Sequence, residues 1–145
     1  MSESSNNEVK GMKIAFGCDH AGFQLKKELI NSTNDEYEDF GTYDETSVDY
    51  PDFGLKVAKK VADEGFDFGV LICATGIGMS ITANKVAGIR AALCYNTMTA
   101  KLCREHNDAN ILVLGAKVVS PEMAKEILKV FLETKFSNKQ STIYN

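Results

Sequence analysis

The sequence predicts a single-domain α/β protein with three layers, in which helices cover both faces of a parallel sheet. Two observations predict this class. Apolar, strand-like runs alternate with stretches of helical periodicity along the 145 residues. The runs FGVLIC and NILVLG are apolar nearly throughout, as expected for strands that are covered on both faces. At this length one domain can bury about two thirds of the surface that the unfolded chain exposes.

Five candidate strands and five candidate helices alternate along the chain. The predicted strands are Lys13–Gly17, Glu38–Phe40, Phe68–Cys73, Ile89–Cys94 and Ile111–Leu114. The predicted helices are Phe23–Asn31, Phe53–Glu64, Ile77–Lys85, Met98–His106 and Pro121–Thr134. Ser120 and Pro121 mark one helix start, because Ser caps free N–H groups and Pro suits the first helical position. The whole is a Rossmann-like α/β/α sandwich around a five-stranded parallel sheet.

Composition and charge exclude several classes of function. A net charge of −4 and a pI near 5.2 argue against a nucleic-acid surface, which needs a concentrated basic face. We expect neither a signal peptide nor a membrane span, because the first residues lack an apolar core and no apolar run approaches about 18 residues. Its four cysteines form no C-x-x-C pair, so we expect reduced cytoplasmic thiols and neither a metal site nor a cofactor. We expect a flexible extension at residues 1–11, a folded domain at 12–136 and a tail at 137–145.

Three loops hold the residues that could do chemistry: GCDHAG, CATGIG and REHNDAN. Loops at the carboxyl ends of strands border the ligand crevice in open α/β sheets. We expect the first and third strands to lie side by side, because the Asp19 and Cys73 loops must meet there. His20 and His106 are the only histidines, and each is either a structural hydrogen-bonding residue or a functional one.

Cys73 ends a strand just before a turn whose following helix points its N–H groups back toward the same place. A thiolate would be stabilised there, although a buried cysteine can also be a plain small hydrophobe. The turn from Ala74 to Gly78 could present successive N–H groups to an anion. It lacks the lysine of a P-loop, and Ile81 breaks the dinucleotide fingerprint.

A thiolate beside such amides suits proton abstraction next to a carbonyl. The thiolate takes the proton as a base, and the amide donors hold the enediolate that forms. Thr75 and the nearby acids and histidines can carry the protons of the oxygens.

Four separated motifs, KIAFGCDHAG, DYP, ICATGIGMSITANKVAGIRAA and REHNDANILVLG, resemble those of the B-type ribose-5-phosphate isomerases and their hexose-phosphate relatives. The resemblance runs from about Met12 to Phe136. It implies a metal-free, cofactor-free aldose–ketose isomerase of the pentose phosphate pathway. Such an enzyme interconverts ribose 5-phosphate and ribulose 5-phosphate through a cis-enediolate.

The resemblance also implies roles for individual residues. Cys73 matches the base, His106 the proton donor of ring opening and Thr75 a proton relay, while Asp19 lies at the sugar ring. The implied substrate-binding residues are His20 for the phosphate, Tyr50 in the pocket wall, the amides of Ala74, Gly76, Ile77 and Gly78, and Asn107 for a sugar hydroxyl. In the family the His106-type loop comes from a neighbouring chain, which implies a homodimer or a tetramer of two such dimers.

The sequence departs from the family pattern in two places. Ala74 stands where a glycine or another small residue is usual, but it keeps its N–H. Lys117 and Lys139 stand in the regions where family members commonly bind phosphate with arginine. Lysine brings charge without the two-pronged fit of a guanidinium.

Three other functions compete with pentose phosphate isomerisation. A six-carbon substrate, such as allose or galactose 6-phosphate, needs the same motifs and a longer pocket. A non-catalytic sugar-phosphate binding module would bind without turnover. A nicotinamide-linked oxidoreductase is disfavoured, because the glycine pattern is incomplete and follows the third strand.

Overall fold

The structure is a computed structural model that describes residues 11–137. Strands and helices alternate through this range. In chain order they are β1 (Lys13–Cys18), α1 (Phe23–Ser32), β2 (Glu36–Asp39), α2 (Tyr50–Asp63), β3 (Phe68–Cys73), α3 (Ile77–Ala83), β4 (Ala91–Leu93), α4 (Thr97–Asn107), β5 (Ile111–Gly115) and α5 (Pro121–Glu133). A single 3₁₀ turn, His20–Gly22, precedes α1. The predicted extension and tail lie almost entirely outside the described residues.

The five strands form one parallel sheet in the order β2-β1-β3-β5-β4. The predicted pairing of the first and third strands is confirmed, with Cys18 opposite Ile72. The central strand β3 is buried over its whole length. Two apolar clusters lie on the two faces of the sheet, one centred on Phe16 and Phe131 and the other on Leu71 and Met79. The predicted three-layer α/β/α sandwich is therefore confirmed.

Element boundaries differ from the prediction mainly at the two edge strands. β2 begins at Glu36, two residues before its predicted start, because its exposed, charged face gave no alternating pattern to read. β4 is confined to Ala91–Leu93, since it pairs with β5 alone. Helix α2 starts at Tyr50, so that Pro51 occupies the first turn, where its missing N–H costs nothing.

One buried charge ties α1 to the segment that follows β2. The Lys26 side chain is fully buried, and its Nζ lies 2.6 Å from Asp39 Oδ1 and 2.5 Å from the carbonyl oxygen of Thr42. Without these partners a buried ammonium would be very costly. The contacts therefore fix the start of the long loop between β2 and α2 against the first helix.

We expect Asp39→Asn to lower the free energy of unfolding by about 2–4 kcal/mol, because it leaves the buried ammonium without its counter-charge. The matched control is Glu64→Gln, which breaks the exposed Lys60–Glu64 pair and should cost less than about 1 kcal/mol. Urea unfolding of both variants compares them. Equal losses would show that the buried pair contributes no more than a surface pair.

Cys18 makes stability depend on pH at the alkaline end. Burial raises the pKa of its thiol to about 11 from the usual 9.0, partly offset by nearby Lys26. The unfolded chain therefore loses this proton at lower pH than the folded protein does, so stability falls as pH rises between these two values. Well below pH 9 the thiol is protonated in both states and contributes no pH dependence.

Chemical denaturation at pH 8 and pH 11 tests this. The difference in unfolding free energy between the wild type and Cys18→Ala should shrink by about 2 kcal/mol over that range, because the alanine variant lacks the titrating group. The cavity left by the substitution costs the same at both values of pH and cancels. A difference that does not change with pH would mean that the folded thiol titrates normally.

Candidate active site

Cys73 lies at the carboxyl end of β3 and is 5% exposed. Its Sγ accepts a hydrogen bond from the backbone N–H of Gly76 at 3.3 Å. The turn that brings this N–H back has Gly76 at φ +87°, where a Cβ would lie 2.4 Å from Leu93 Cδ1. Only glycine meets both conditions. An N–H donor at the sulfur stabilises negative charge there.

A second amide of this turn is also hydrogen-bonded within the turn. The N–H of Ile77 donates to Thr75 Oγ1 at 3.2 Å. Of the amides predicted to hold an anion, those of Gly76 and Ile77 are thus bonded to acceptors inside the turn. An oxyanion bound here would compete with the Cys73 sulfur and the Thr75 hydroxyl for these donors.

The Asp19 loop lies directly beside this turn, as the strand pairing requires. The N–H of Asp19 donates to the carbonyl oxygen of Ile72 at 3.2 Å, one residue before Cys73. The carboxylate is 7% exposed, and its Oδ1 accepts the N–H groups of Ala21 and Gly22 at 3.0 and 3.2 Å. Asp19 is therefore fixed beside the end of β3, in an orientation set by the 3₁₀ turn.

His20 is oriented by the long loop after β2. Its Nδ1 accepts the N–H of Val48 at 3.1 Å. Because Nδ1 acts as the acceptor, Nε2 carries the imidazole proton and is a donor. The polar loop between β2 and α2 thus holds this side chain in place.

The end of β5 completes the other side of the turn. The N–H groups of Ala116 and Lys117 donate to the carbonyl oxygens of Cys73 and Ala74, each at 2.9 Å. The Lys117 side chain is exposed. A Cβ on Gly115 would lie 2.4 Å from the carbonyl oxygen of Thr75, so the strand can approach the turn only as glycine.

Two tyrosines border the same place. Tyr50, at the first position of α2, lies against Gly78, because a Cβ on that glycine would be 2.6 Å from its ring. Tyr95 follows β4, and its hydroxyl donates to the carbonyl oxygen of Thr75 at 3.3 Å. Sequence reasoning missed Tyr95. Its position just after a strand was a usable signal, since the ends of neighbouring parallel strands meet.

His106 and Asn107 lie elsewhere in the chain. They end α4, whose 11 residues run roughly 16 Å from the carboxyl end of β4 back to the amino end of the sheet. The His106 side chain is 46% exposed, and its Nε2 is 3.6 Å from Glu105 Oε1. One chain therefore brings together Asp19, His20, Tyr50, the turn of residues 73–78 and Lys117, but not His106 or Asn107. Lys139 lies outside the described residues.

The described residues contain neither a cluster of metal-ligand side chains nor a membrane-spanning helix. Within residues 11–137 no three His, Cys, Asp or Glu side chains converge as metal ligands would. None of the helices in that range has the length and hydropathy needed to cross a bilayer.

Known proteins resemble this chain over most of its length. The putative sugar phosphate isomerase YwlF of Bacillus subtilis is 50% identical over 130 residues, which are 87% of each chain. The ribose-5-phosphate isomerase B of Escherichia coli is 46% identical over 127 residues, 86% of this chain and 85% of that protein. The solved structure of the Clostridium thermocellum ribose-5-phosphate isomerase B superposes with a TM-score of 0.88 at 48% identity, covering 92% and 93% of the two chains.

The family description "Ribose/Galactose Isomerase" matches residues 14–143, nearly the whole chain. The resemblance drawn from the four sequence motifs is thereby confirmed. The chain belongs to the ribose/galactose isomerase family.

Proposed function

We propose that this protein interconverts ribose 5-phosphate and ribulose 5-phosphate, with Cys73 as the base. The observation that carries the proposal is the Cys73 thiol at the end of β3, bonded to the Gly76 amide and flanked by Asp19. Relatives named as ribose-5-phosphate isomerases support the same reaction. We also place the enzyme in the cytoplasm, where thiols such as its four free cysteines stay reduced.

The proposed chemistry is a proton transfer between neighbouring carbons. The Cys73 thiolate removes the proton from C2 of the open-chain aldose, and the electron pair forms the C1–C2 double bond of a cis-enediolate. Return of the proton to C1 gives the ketose. Thr75, whose hydroxyl lies in the turn, carries a proton between the two oxygens. Asp19, held by two amides, orients the sugar ring beside the thiol.

The phosphate end is assigned to cationic and N–H donors on the flanking loops. His20 offers its Nε2–H, because Nδ1 is taken by the Val48 amide. Lys117 follows the strand whose end is bonded to the turn, and its exposed side chain supplies a positive charge without bidentate geometry. Lys139 remains our proposal for a contact from the tail.

We propose that the complete site needs two copies of the chain, because His106 and Asn107 lie at the opposite end of the sheet from Cys73. A two-fold axis perpendicular to α4 would pack this helix against its copy in antiparallel orientation. His106 of one chain would then approach the start of α4 in the other, where Tyr95 contacts the turn.

The surface around α4 supports this arrangement. It carries large apolar side chains that are 40–63% exposed in a single chain. These residues are Tyr95, Met98 and Leu102. Exposed apolar patches of this kind mark interfaces with other proteins. We therefore propose a homodimer, or a tetramer of two homodimers, with the active site shared between subunits.

A six-carbon sugar phosphate is the second candidate substrate, because the matching family description includes galactose as well as ribose. The turn and the thiol can act on either sugar, so the length of the pocket determines which substrate the enzyme accepts. Turnover of ribose 5-phosphate, allose 6-phosphate and galactose 6-phosphate, measured side by side, distinguishes the two candidate substrate classes.

The first prediction concerns the base. With a metal chelator present, the wild type should convert ribose 5-phosphate to ribulose 5-phosphate, and Cys73→Ser should lose about 10²–10⁴-fold in kcat, because a hydroxyl is a far weaker base than a thiolate. Cys103→Ser, which removes another buried thiol, should keep its activity. The assay follows ketose formation under reducing conditions, with circular dichroism as the check on folding.

Other results would redirect the assignment. Full activity in Cys73→Ser would remove the thiol from the mechanism. An inactive wild type whose melting temperature rises with ribose 5-phosphate would indicate a binding module. Turnover of a six-carbon phosphate alone would favour the second substrate class.

The second prediction concerns the shared site. Cys73→Ala and His106→Asn should each be inactive as pure proteins. When the two are co-expressed in equal amounts, about a quarter of the sites combine an intact Cys73 with an intact His106 from the other subunit, so about a quarter of wild-type activity should return. The same fraction applies to a tetramer of two dimers.

The control is the double variant, Cys73→Ala with His106→Asn, co-expressed with wild type. Mixed dimers of this kind contain no site with both residues intact, so activity should come only from wild-type pairs. Failure of the two single variants to complement would place each active site within one chain.

A further inference from the structure

Two thiols that the proposed reaction does not use lie in contact with each other. Cys94 directly follows β4, and Cys103 lies in α4; both are free thiols, 1% and 8% exposed. Their sulfur atoms are 3.8 Å apart. Within the described chain this sets them apart from Cys18, whose sulfur contacts the carbonyl oxygen of Thr42 instead of a second sulfur.

The surroundings of the pair make the two thiols chemically unequal. Hydrogen bonds from Cys103 and from the Thr99 side chain lower the pKa of Cys94, against the opposing effect of burial. The pKa of Cys103 is raised, first by its bond to Cys94 and then by burial. Cys94 is thus the thiol that ionises more easily, and Cys103 is the one that stays protonated.

The two sulfur atoms are in non-bonded contact, at a distance that leaves no room for another atom between them. A disulfide holds its sulfurs about 2.05 Å apart, so the pair must close by roughly 1.8 Å. The two residues are nine positions apart, and one of them lies just outside a three-residue edge strand. Short edge elements of this kind yield more readily than the buried central strands.

We propose that Cys94 and Cys103 form a reversible oxidation site, at which a small peroxide converts the two thiols to a disulfide. One sulfur attacks a peroxide oxygen as a thiolate, the O–O bond breaks, and a sulfenic acid forms with release of water or an alcohol. The second thiol attacks that sulfur, the S–S bond forms and water leaves. The peroxide is reduced by two electrons and the two thiols supply them.

The disulfide would also reach the candidate active site, a consequence that rests on the proposed function. Tyr95 follows Cys94 directly, and its hydroxyl donates to the carbonyl oxygen of Thr75 at 3.3 Å. Asn96, the next residue, caps α4 through the N–H of Thr99. Drawing Cys94 toward the helix therefore moves Tyr95 away from the turn, and turnover should fall until a reductant restores the thiols.

The covalent step is tested without any activity assay. In the Cys73→Ser background, the protein is treated with hydrogen peroxide, its remaining thiols are alkylated under denaturing conditions, and it is cut with trypsin. Trypsin cleaves after Arg90, Lys101 and Arg104, so the two cysteines fall in separate peptides, AALCYNTMTAK and LCR. We expect these peptides to appear joined, and to separate after treatment with dithiothreitol. Cys18, an equally buried thiol, is the internal control and should be alkylated.

Two results would overturn the site. Recovery of both peptides fully alkylated, under peroxide that oxidises Cys73 in the wild type, would mean that the pair does not react. Oxidation of either cysteine to a sulfinic acid without the joined peptide would mean that the sulfurs cannot close to bonding distance. Cys103→Ser must abolish the joined peptide.

The link to turnover has its own test. At peroxide doses that leave Cys103→Ser active, the wild type should lose about threefold or more in kcat and regain it with dithiothreitol, since small displacements near a reacting group have effects of this size or larger. Joined peptides with unchanged turnover would show that the oxidation site exists but that the disulfide does not affect catalysis. If the protein proves inactive on every sugar phosphate, the peptide result still decides whether the oxidation site exists.

Discussion

The candidate site depends on one constraint, the parallel pairing of β3 with β1 on one side and β5 on the other. Parallel strands end at the same edge of a sheet, and the register places Cys18 opposite Ile72 and Gly115 opposite Cys73. The Asp19 loop and the end of β5 then flank the thiol from two sides. A slip of one residue in either pairing would turn the side chains of that strand to the other face. The apolar core on both faces therefore fixes the chemistry as well as the fold.

The same constraint underlies the proposal that the site is completed by a second chain. A helix that crosses back over a parallel sheet begins at the carboxyl edge and ends at the amino edge. His106 comes at the end of α4 and is carried to the wrong edge for reaction with a substrate at Cys73. Association across a two-fold axis reverses the direction of the helix and removes this difficulty. The proposed dependence on a second copy thus rests on where the histidine falls along the chain.

Sequence reasoning was strongest where the physics is local and repetitive. Continuous apolar runs predicted the buried central strands, and β3 has the predicted bounds. The start of α5 was predicted from Ser120, which caps the N–H of Met123. The edge strands were harder to predict, because β2 is mostly exposed and charged and its ends are set by pairing and not by a sequence pattern.

At the site, the sequence indicated which loops meet but not the bonds within them. It could not show that the amides of Gly76 and Ile77 bond inside the turn, nor that Val48 orients His20 from a distant loop. It also gave no sign of Lys26, a buried charge in a helix whose pattern looks like an ordinary surface. Contacts between residues far apart in sequence leave no periodic trace in the chain.

The close fit of the turn limits how such a protein can diversify. Gly76 and Gly115 both lie where a Cβ would meet a neighbour at 2.4 Å, so neither can acquire a side chain that contacts a ligand. At these two positions the turn is bounded by neighbouring atoms and is closed to side-chain variation. Under the proposed function, new selectivity for sugars would arise instead at exposed side chains around the turn, such as those of Tyr50, Tyr95 and Lys117. Under the proposed function, the architecture would thus separate a fixed turn beside the thiol from adjustable side chains that select the substrate.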